Sequence, residues 1–150
     1  YRELAALTNR IARVLVEDMK LVPGNRLLLR GPNNPMMAAS WLAAIKAGLV
    51  TVPTMPLLRA NELKPIIDKA QIQAVLCDVR LQDEAQVGAQ PDHEHHCPGL
   101  AQIVYFNDTA PDALDALAAA KPDDFTACDT AADDVCLIAF TSGTTGAPKG

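Results

Sequence analysis

Aromatic residues are scarce: one Trp, two Tyr and three Phe make up 4% of 150 residues. Aliphatic side chains and alanine must therefore fill most of the interior. The scarcity also removes the stacking platforms of a single-stranded nucleic-acid binder, and no basic patch interleaves with those few rings. Nucleic acid is not an expected partner. No uninterrupted apolar stretch approaches the roughly 20 residues of a membrane-spanning helix, so no membrane partner is expected either. The opening Tyr1-Arg2-Glu3-Leu4 lacks the basic-then-apolar layout of a secretory signal, and a cytoplasmic domain is the expectation. The four cysteines, Cys77, Cys97, Cys128 and Cys136, form no C-x-x-C pair, and nothing secretory favours disulfides. Cys77 and Cys136 lie in apolar runs and are expected to be buried small hydrophobes.

What is present is ordinary in bulk and uneven in placement. Hydrophobic residues make up 49% and charged residues 21%, the proportions of a globular domain with a real core. The net charge of −5 hides a split. Residues 1–75 hold ten Lys/Arg against five Asp/Glu, and residues 76–150 hold three against thirteen. The basic residues of the first half sit singly along the chain, which predicts solvated faces. The acidic run KPDDFTACDTAADD (121–134) reads as a linker or surface connection, and GAQPDHEHHCPG (88–99) as a polar loop bounded by glycine and proline.

Periodicity predicts an alternation of strands and helices. Leu4, Leu7, Ile11, Val14 and Leu15 recur at helical spacing, predicting an amphipathic helix over 3–19 that ends before Pro23-Gly24. Further helices are expected over Pro35–Ala47, closed by Gly48, over Asn61–Ala70, with Pro65 disturbing its first turn, and over Pro111–Ala120. Strands are expected at Arg26–Arg30, Leu49–Thr54, Ala74–Cys77, Gln102–Phe106 and, as a buried run of six apolar residues, Val135–Phe140. Such alternation predicts an α/β fold, a mostly parallel sheet with helices on both faces. The order of the strands is not legible at this level.

The final decapeptide carries the chemistry: Thr141-Ser142-Gly143-Thr144-Thr145-Gly146-Ala147-Pro148-Lys149-Gly150. Glycines let backbone amides approach phosphate oxygens closely. Four hydroxyls add neutral donors, Lys149 adds a mobile cation suited to a terminal phosphate, and Pro148 restricts the loop just before it. The Walker pattern G-x-x-x-x-G-K-[ST] fails here. No glycine directly precedes Lys149, and Gly150 stands where the magnesium-binding Ser or Thr belongs. An ordinary P-loop NTPase is excluded. A bare Ser/Thr/Gly turn would match the composition but not this order directly after an apolar strand.

The segment TSGTTGAPKG resembles the phosphate-loop signature of the adenylate-forming superfamily, which includes acyl-CoA synthetases, peptide-synthetase adenylation domains and luciferases. The likeness extends over most of the chain, through YREL, WLAAIKAGLVTVP (41–53) and the run from Thr54 to Asp78. In general similarity it is closest to the benzoate- and 2-aminobenzoate-CoA ligase branch. The resemblance implies an N-terminal portion, residues 1–150, of an AMP-binding domain that continues beyond the signature. It implies ATP-dependent activation of a small-molecule carboxylic acid as an acyl-adenylate, then transfer to coenzyme A, with Mg2+ accompanying ATP. Delivery to a carrier protein, or a non-catalytic nucleotide-binding role, are the alternatives. The positions it assigns to the ATP phosphates are Thr141, Ser142, Gly143, Thr144, Thr145, Gly146 and Lys149. No catalytic residue falls within these 150 residues, because the family's catalytic lysine lies near its far C-terminus.

Other features have simpler expectations. His93, His95, His96 and Cys97 crowd one loop at a spacing that matches no common zinc site. Met36, Met37 and Trp41 are expected in the core, Lys46 as a cation at a helix C-terminus, and Arg59 and Arg80 on the surface. Asp133 and Asp134 are expected to cap or to be solvated rather than to hold a metal. Nothing indicates an oligomeric state.

Overall fold

The computed structural model describes residues 1–141. Its centre is a four-stranded parallel sheet of β1 (Arg26–Arg30), β2 (Val50–Thr54), β3 (Ala74–Asp78) and β4 (Gln102–Phe106), in the order β2-β1-β3-β4. The helices are α1 (Arg2–Arg13), α2 (Pro35–Lys46), α3 (Ala60–Ala70), α4 (Gln82–Gln86) and α5 (Leu114–Ala119). The predicted α/β architecture is present.

Local chemistry explains most element limits. The first helix runs on from Arg13 through a π-helical turn, Val14–Asp18, where Met19 N donates to Val14 O. Helix α2 starts where Asn34 Oδ1 accepts from Met37 N at 2.9 Å and Pro35 takes the first helical position, where its missing N–H costs nothing. It stops at Gly48, whose φ of +73° is a left-handed conformation that glycine adopts without penalty. In α3 the expected disturbance by Pro65 is absent. The helix begins at Ala60, because Glu62 Oε2 accepts from Arg59 N at 2.9 Å and fastens the first turn ahead of the proline. Helix α5 is shorter than expected, and the helical turns over 79–89 lack a clear periodic signature and were not anticipated.

Both faces of the sheet are covered, as helix-covered parallel strands require. Leu27, Leu29, Leu76 and Phe106 point to one face, against Ile11 of α1, Leu15 of the π-helical turn, Ala39 and Ala43 of α2 and Leu114 of α5. Leu28, Val52, Val75 and Cys77 point to the other, against Leu63, Ile66 and Ile67 of α3. Adjacent strand residues face opposite ways, so the run Leu27-Leu28-Leu29 serves both cores at once. Each fully buried leucine contributes roughly 1.5–3 kcal/mol of burial free energy. From β1 the chain passes to β2 on one side and then returns across it to β3. Right-handed crossovers put α2 and α3 on opposite faces when the direction reverses in this way. The acidic connection folds back on α1: Arg13 Nε donates to Asp124 O at 2.7 Å, and Lys121 Nζ bonds Asp18 at 2.6 Å and Glu17 at 3.1 Å.

One expected strand is not built as such. Within Val135–Phe140 the pairing is reduced to a single parallel bridge, Leu137 with Thr51 of β2. Val135 and Leu137 are 64% and 43% exposed, and Cys136 is exposed too, against the expectation of burial. The segment lies outside β2 at the sheet edge, with a strand on one side only. Only Ile138 and Phe140 of this run are partly buried, against the α3 core. Cys77, by contrast, is fully buried as expected.

Candidate functional site at the carboxyl edge of the sheet

The edge segment positions the site. Ile138 N donates to Thr51 O, and Thr51 N donates to Cys136 O, both at 2.9 Å. The buried Thr51 hydroxyl donates to the same Cys136 carbonyl at 2.9 Å and accepts from Trp41 Nε1 at 3.2 Å. Because the bridge is parallel, the chain leaves it toward the carboxyl ends of the strands. Thr141, the first residue of the glycine-rich decapeptide, arrives there exposed, beside Thr54 and Met55. In open parallel α/β sheets this is the edge where ligands bind. Ser142, Gly143, Thr144, Thr145, Gly146 and Lys149 lie outside the described residues.

Alternation along the segment creates a cleft on each side. Ile138 and Phe140 pack toward the α3 core, and Phe140 and Thr141 border an open cleft of about 530 Å3 with Pro53, Thr54, Met55, Leu58 and Glu62. Leu137 faces the α2 side and borders a second cleft, about 570 Å3, with Leu29, Asn34, Met37, Trp41 and Pro53. Trp41, expected in the core, is 41% exposed along this second cleft. It lies on the side of α2 flanked by the thinly paired edge segment rather than by a full strand.

A polar cluster ties the neighbouring loops together where strand order reverses between β1 and β3. Asp78 closes β3, is fully buried, and accepts five hydrogen bonds. They come from Arg80 N (3.1 Å), Arg80 Nε (2.8 Å), Arg80 Nη2 (2.8 Å), Asn107 Nδ2 (2.7 Å) and Asn34 Nδ2 (3.3 Å). The Arg80 guanidinium, helped by Asn107 and opposed by burial, lowers the Asp78 pKa from 3.8 to about 2. Arg80 was expected on the surface, and its side chain is 64% exposed while paired to this carboxylate. Asn34 serves twice, capping α2 through Oδ1 and binding Asp78 through Nδ2. Apart from the nearby Arg80, nothing local in the sequence marks this cluster, since Asn107 and Asn34 lie 29 and 44 residues from Asp78.

Sequence reasoning also missed Arg30. It closes β1 and is 1% exposed, although the basic residues of this half were expected in solvent. Its guanidinium donates to three backbone carbonyls, Met55 O, Pro56 O and Leu58 O. The thiol of Cys77 is pushed up by burial to about 12, so it stays protonated and is no nucleophile. Cys97 is buried in the 88–99 loop, where the His93 and His95 rings stand 5.3 Å apart. Among the described residues no three His, Cys, Asp or Glu side chains converge as a metal site would require. Asp134 Oδ2 accepts from Ala131 N at 2.8 Å, a local turn contact as expected.

The AMP-binding enzyme family model matches residues 1–150, the whole chain. The chain belongs to the AMP-binding enzyme family. Among relatives in that family, benzoate–CoA ligase of Thauera aromatica is 32% identical over 152 residues, covering 100% of this chain and 28% of that protein. The crystal structure of ATP-bound MatB from Rhodopseudomonas palustris superposes with a TM-score of 0.84 at 29% identity, covering 100% of this chain and 28% of that one. An anthranilate CoA ligase in complex with anthranoyl-AMP gives a TM-score of 0.87 at 18% identity, over 98% of this chain and 28% of that one, and supports the fold alone. The chain thus spans less than a third of the length of these AMP-binding enzymes.

Proposed function

We propose that this chain carries part of the ATP site of an acid–thiol ligase, which activates a carboxylic acid as an acyl-adenylate and passes the acyl group to coenzyme A. The observation that carries the proposal is the delivery of Thr141, the residue at which the sequence TSGTTGAPKG begins, to the carboxyl edge of a parallel sheet. In the reaction a carboxylate oxygen attacks the α-phosphorus of ATP and pyrophosphate leaves. The thiol sulfur then attacks the acyl carbon, and AMP leaves.

In this proposal Thr141, Ser142, Gly143, Thr144, Thr145 and Gly146 cradle the β- and γ-phosphates through backbone amides and hydroxyls, and Lys149 pairs with a terminal oxygen. These groups hold the leaving pyrophosphate as its charge grows, which is electrostatic stabilisation rather than proton transfer. Magnesium is the expected counter-ion of ATP, held largely by the phosphates themselves. The benzoate–CoA ligase relative favours an aromatic acid as substrate.

Acid-dependent ATP–pyrophosphate exchange by the full-length protein tests the activation step, and thioester formation on adding coenzyme A tests the acceptor. Lys149→Ala is expected to lower kcat/KM for ATP by about a hundredfold, the scale of losing one charge-assisted phosphate contact, with the KM for the acid changed far less. An unchanged kcat/KM for ATP removes Lys149 from this role. Exchange without any thioester points instead to a carrier protein as acceptor.

A further inference from the structure

We propose that Arg30 is the positioning residue of the Thr141 cleft, clamping the loop that forms its far wall. The inference rests on the nucleotide reading of that cleft and adds to it a residue outside the phosphate signature.

Arg30 is the largest fully buried side chain in the protein's described residues. It pairs across the sheet with Thr54, the last residue of β2, so its side chain meets the chain just as that strand ends. Nη1 donates to Met55 O at 3.2 Å, and Nη2 donates to Pro56 O at 3.1 Å and Leu58 O at 2.7 Å. All three hydrogen-bond partners are neutral main-chain carbonyls, and no carboxylate pairs directly with this buried cation, Glu84 acting on it only at longer range. Burial pushes its pKa below the usual guanidinium value, yet the group stays charged. A folded chain ordinarily avoids such a burial, because desolvating an ion is costly. Aliphatic side chains fill the neighbouring positions of β1 at no such cost.

The clamp has a geometric consequence. With three carbonyls turned inward to one planar fork, the peptide planes of residues 55–58 cannot rotate without breaking bonds to a buried charge. The loop's apolar side chains are then held outward: Met55 is 64% exposed and Leu57 is 83% exposed. Met55 and Leu58 border the same cleft as Phe140 and Thr141. Arg30 therefore fixes the wall that faces the start of the phosphate signature, without touching the cleft itself. A lysine cannot replace it, because one ammonium nitrogen does not reproduce the spread of a guanidinium fork.

The test uses the full-length protein with Arg30→Lys, Arg30→Met and Leu57→Gly, the last loosening the same loop without disturbing the core. Amide exchange at residues 57–59 is expected to accelerate about tenfold or more in all three. In acid-dependent pyrophosphate exchange the KM for ATP is expected to rise about fivefold, with kcat held within about twofold. A purely structural role would lower kcat through lost active protein and leave KM alone, and that result overturns the proposal. Unchanged amide exchange in the Arg30 variants overturns it equally. A wild-type protein without acid-dependent exchange overturns the nucleotide reading itself, whereas an active wild type with an unmoved KM in the variants overturns only the role of Arg30.

Discussion

Replacing Asp78 by asparagine removes one charge and inserts one N–H donor group into a site where every contact is already a donor. Arg80 N, Nε and Nη2, Asn34 Nδ2 and Asn107 Nδ2 all point at the two carboxylate oxygens. Whichever way the new amide turns, its nitrogen faces a donor. Leaving buried donors unmatched costs about 1–3 kcal/mol, and losing the charge removes the favourable pairing as well. A shift in Asp78 from 3.8 to about 2 corresponds to about 2 kcal/mol of linked stability. The Arg80 side chain that supplies most of this shift is 64% exposed, so solvent screening trims the figure to about 1–2 kcal/mol. Because the folded pKa is depressed, the contribution is complete above the unfolded value of 3.8 and is lost as pH falls through about 2. Asp78→Asn should therefore cost about 2–4 kcal/mol at pH 7. The gap between variant and wild type should narrow as pH falls from about 4 toward about 2. Urea unfolding followed by circular dichroism, in steps from neutral to acid pH, gives both quantities. Two parallel pH profiles, separated by a constant difference, would refute the assignment of the ionised Asp78 as the centre of this cluster.

Gly48→Ala and Gly24→Ala separate two penalties. Both glycines have positive φ, but a Cβ on Gly48 would come within 2.9 Å of Cys128 Sγ, whereas one on Gly24 meets nothing within 4 Å. Gly24→Ala is expected to cost about 1 kcal/mol from its left-handed backbone, and Gly48→Ala at least about 1 kcal/mol more; equal losses in thermal or urea unfolding would contradict the contact. Thiol labelling of this 150-residue chain should modify exposed Cys136 quickly and leave Cys77 intact until unfolding, because Cys77 is buried and its thiol is pushed up to about 12. Mass spectrometry of peptides after timed alkylation reads this, and equal rates at the two positions would be the failing result.

The elements that local chemistry controls were readable before the fold was known. Arg26–Arg30 and Gln102–Phe106 form strands with the limits that their apolar runs suggested. Helix α2 begins at Pro35 and closes before Gly48, because a cap, a ring-fixed φ and a left-handed glycine act within a few residues. The order of residues in TSGTTGAPKG likewise sufficed to separate it from a Walker loop and to point to its family, which the match over the whole chain then showed.

The rest depended on partners distant in sequence. In RLLLR the two arginines are equivalent as text, yet Arg26 is half-buried and Arg30 is sealed inside, because only Arg30 meets three carbonyls that lie 25 to 28 residues further on. Val135–Phe140 is as apolar as any buried strand, but its exposure depends on what lies alongside it, and on one side that is β2 alone. Strand order, the convergence of Asn34, Asp78 and Asn107, and the placement of Thr141 beside Met55 are all products of register and crossover direction. The sequence by itself determined the kind of loop this chain carries and the elements that lead to it. Tertiary structure alone decided where that loop begins and which buried cation holds the wall opposite, because those are contacts between segments that no local pattern relates.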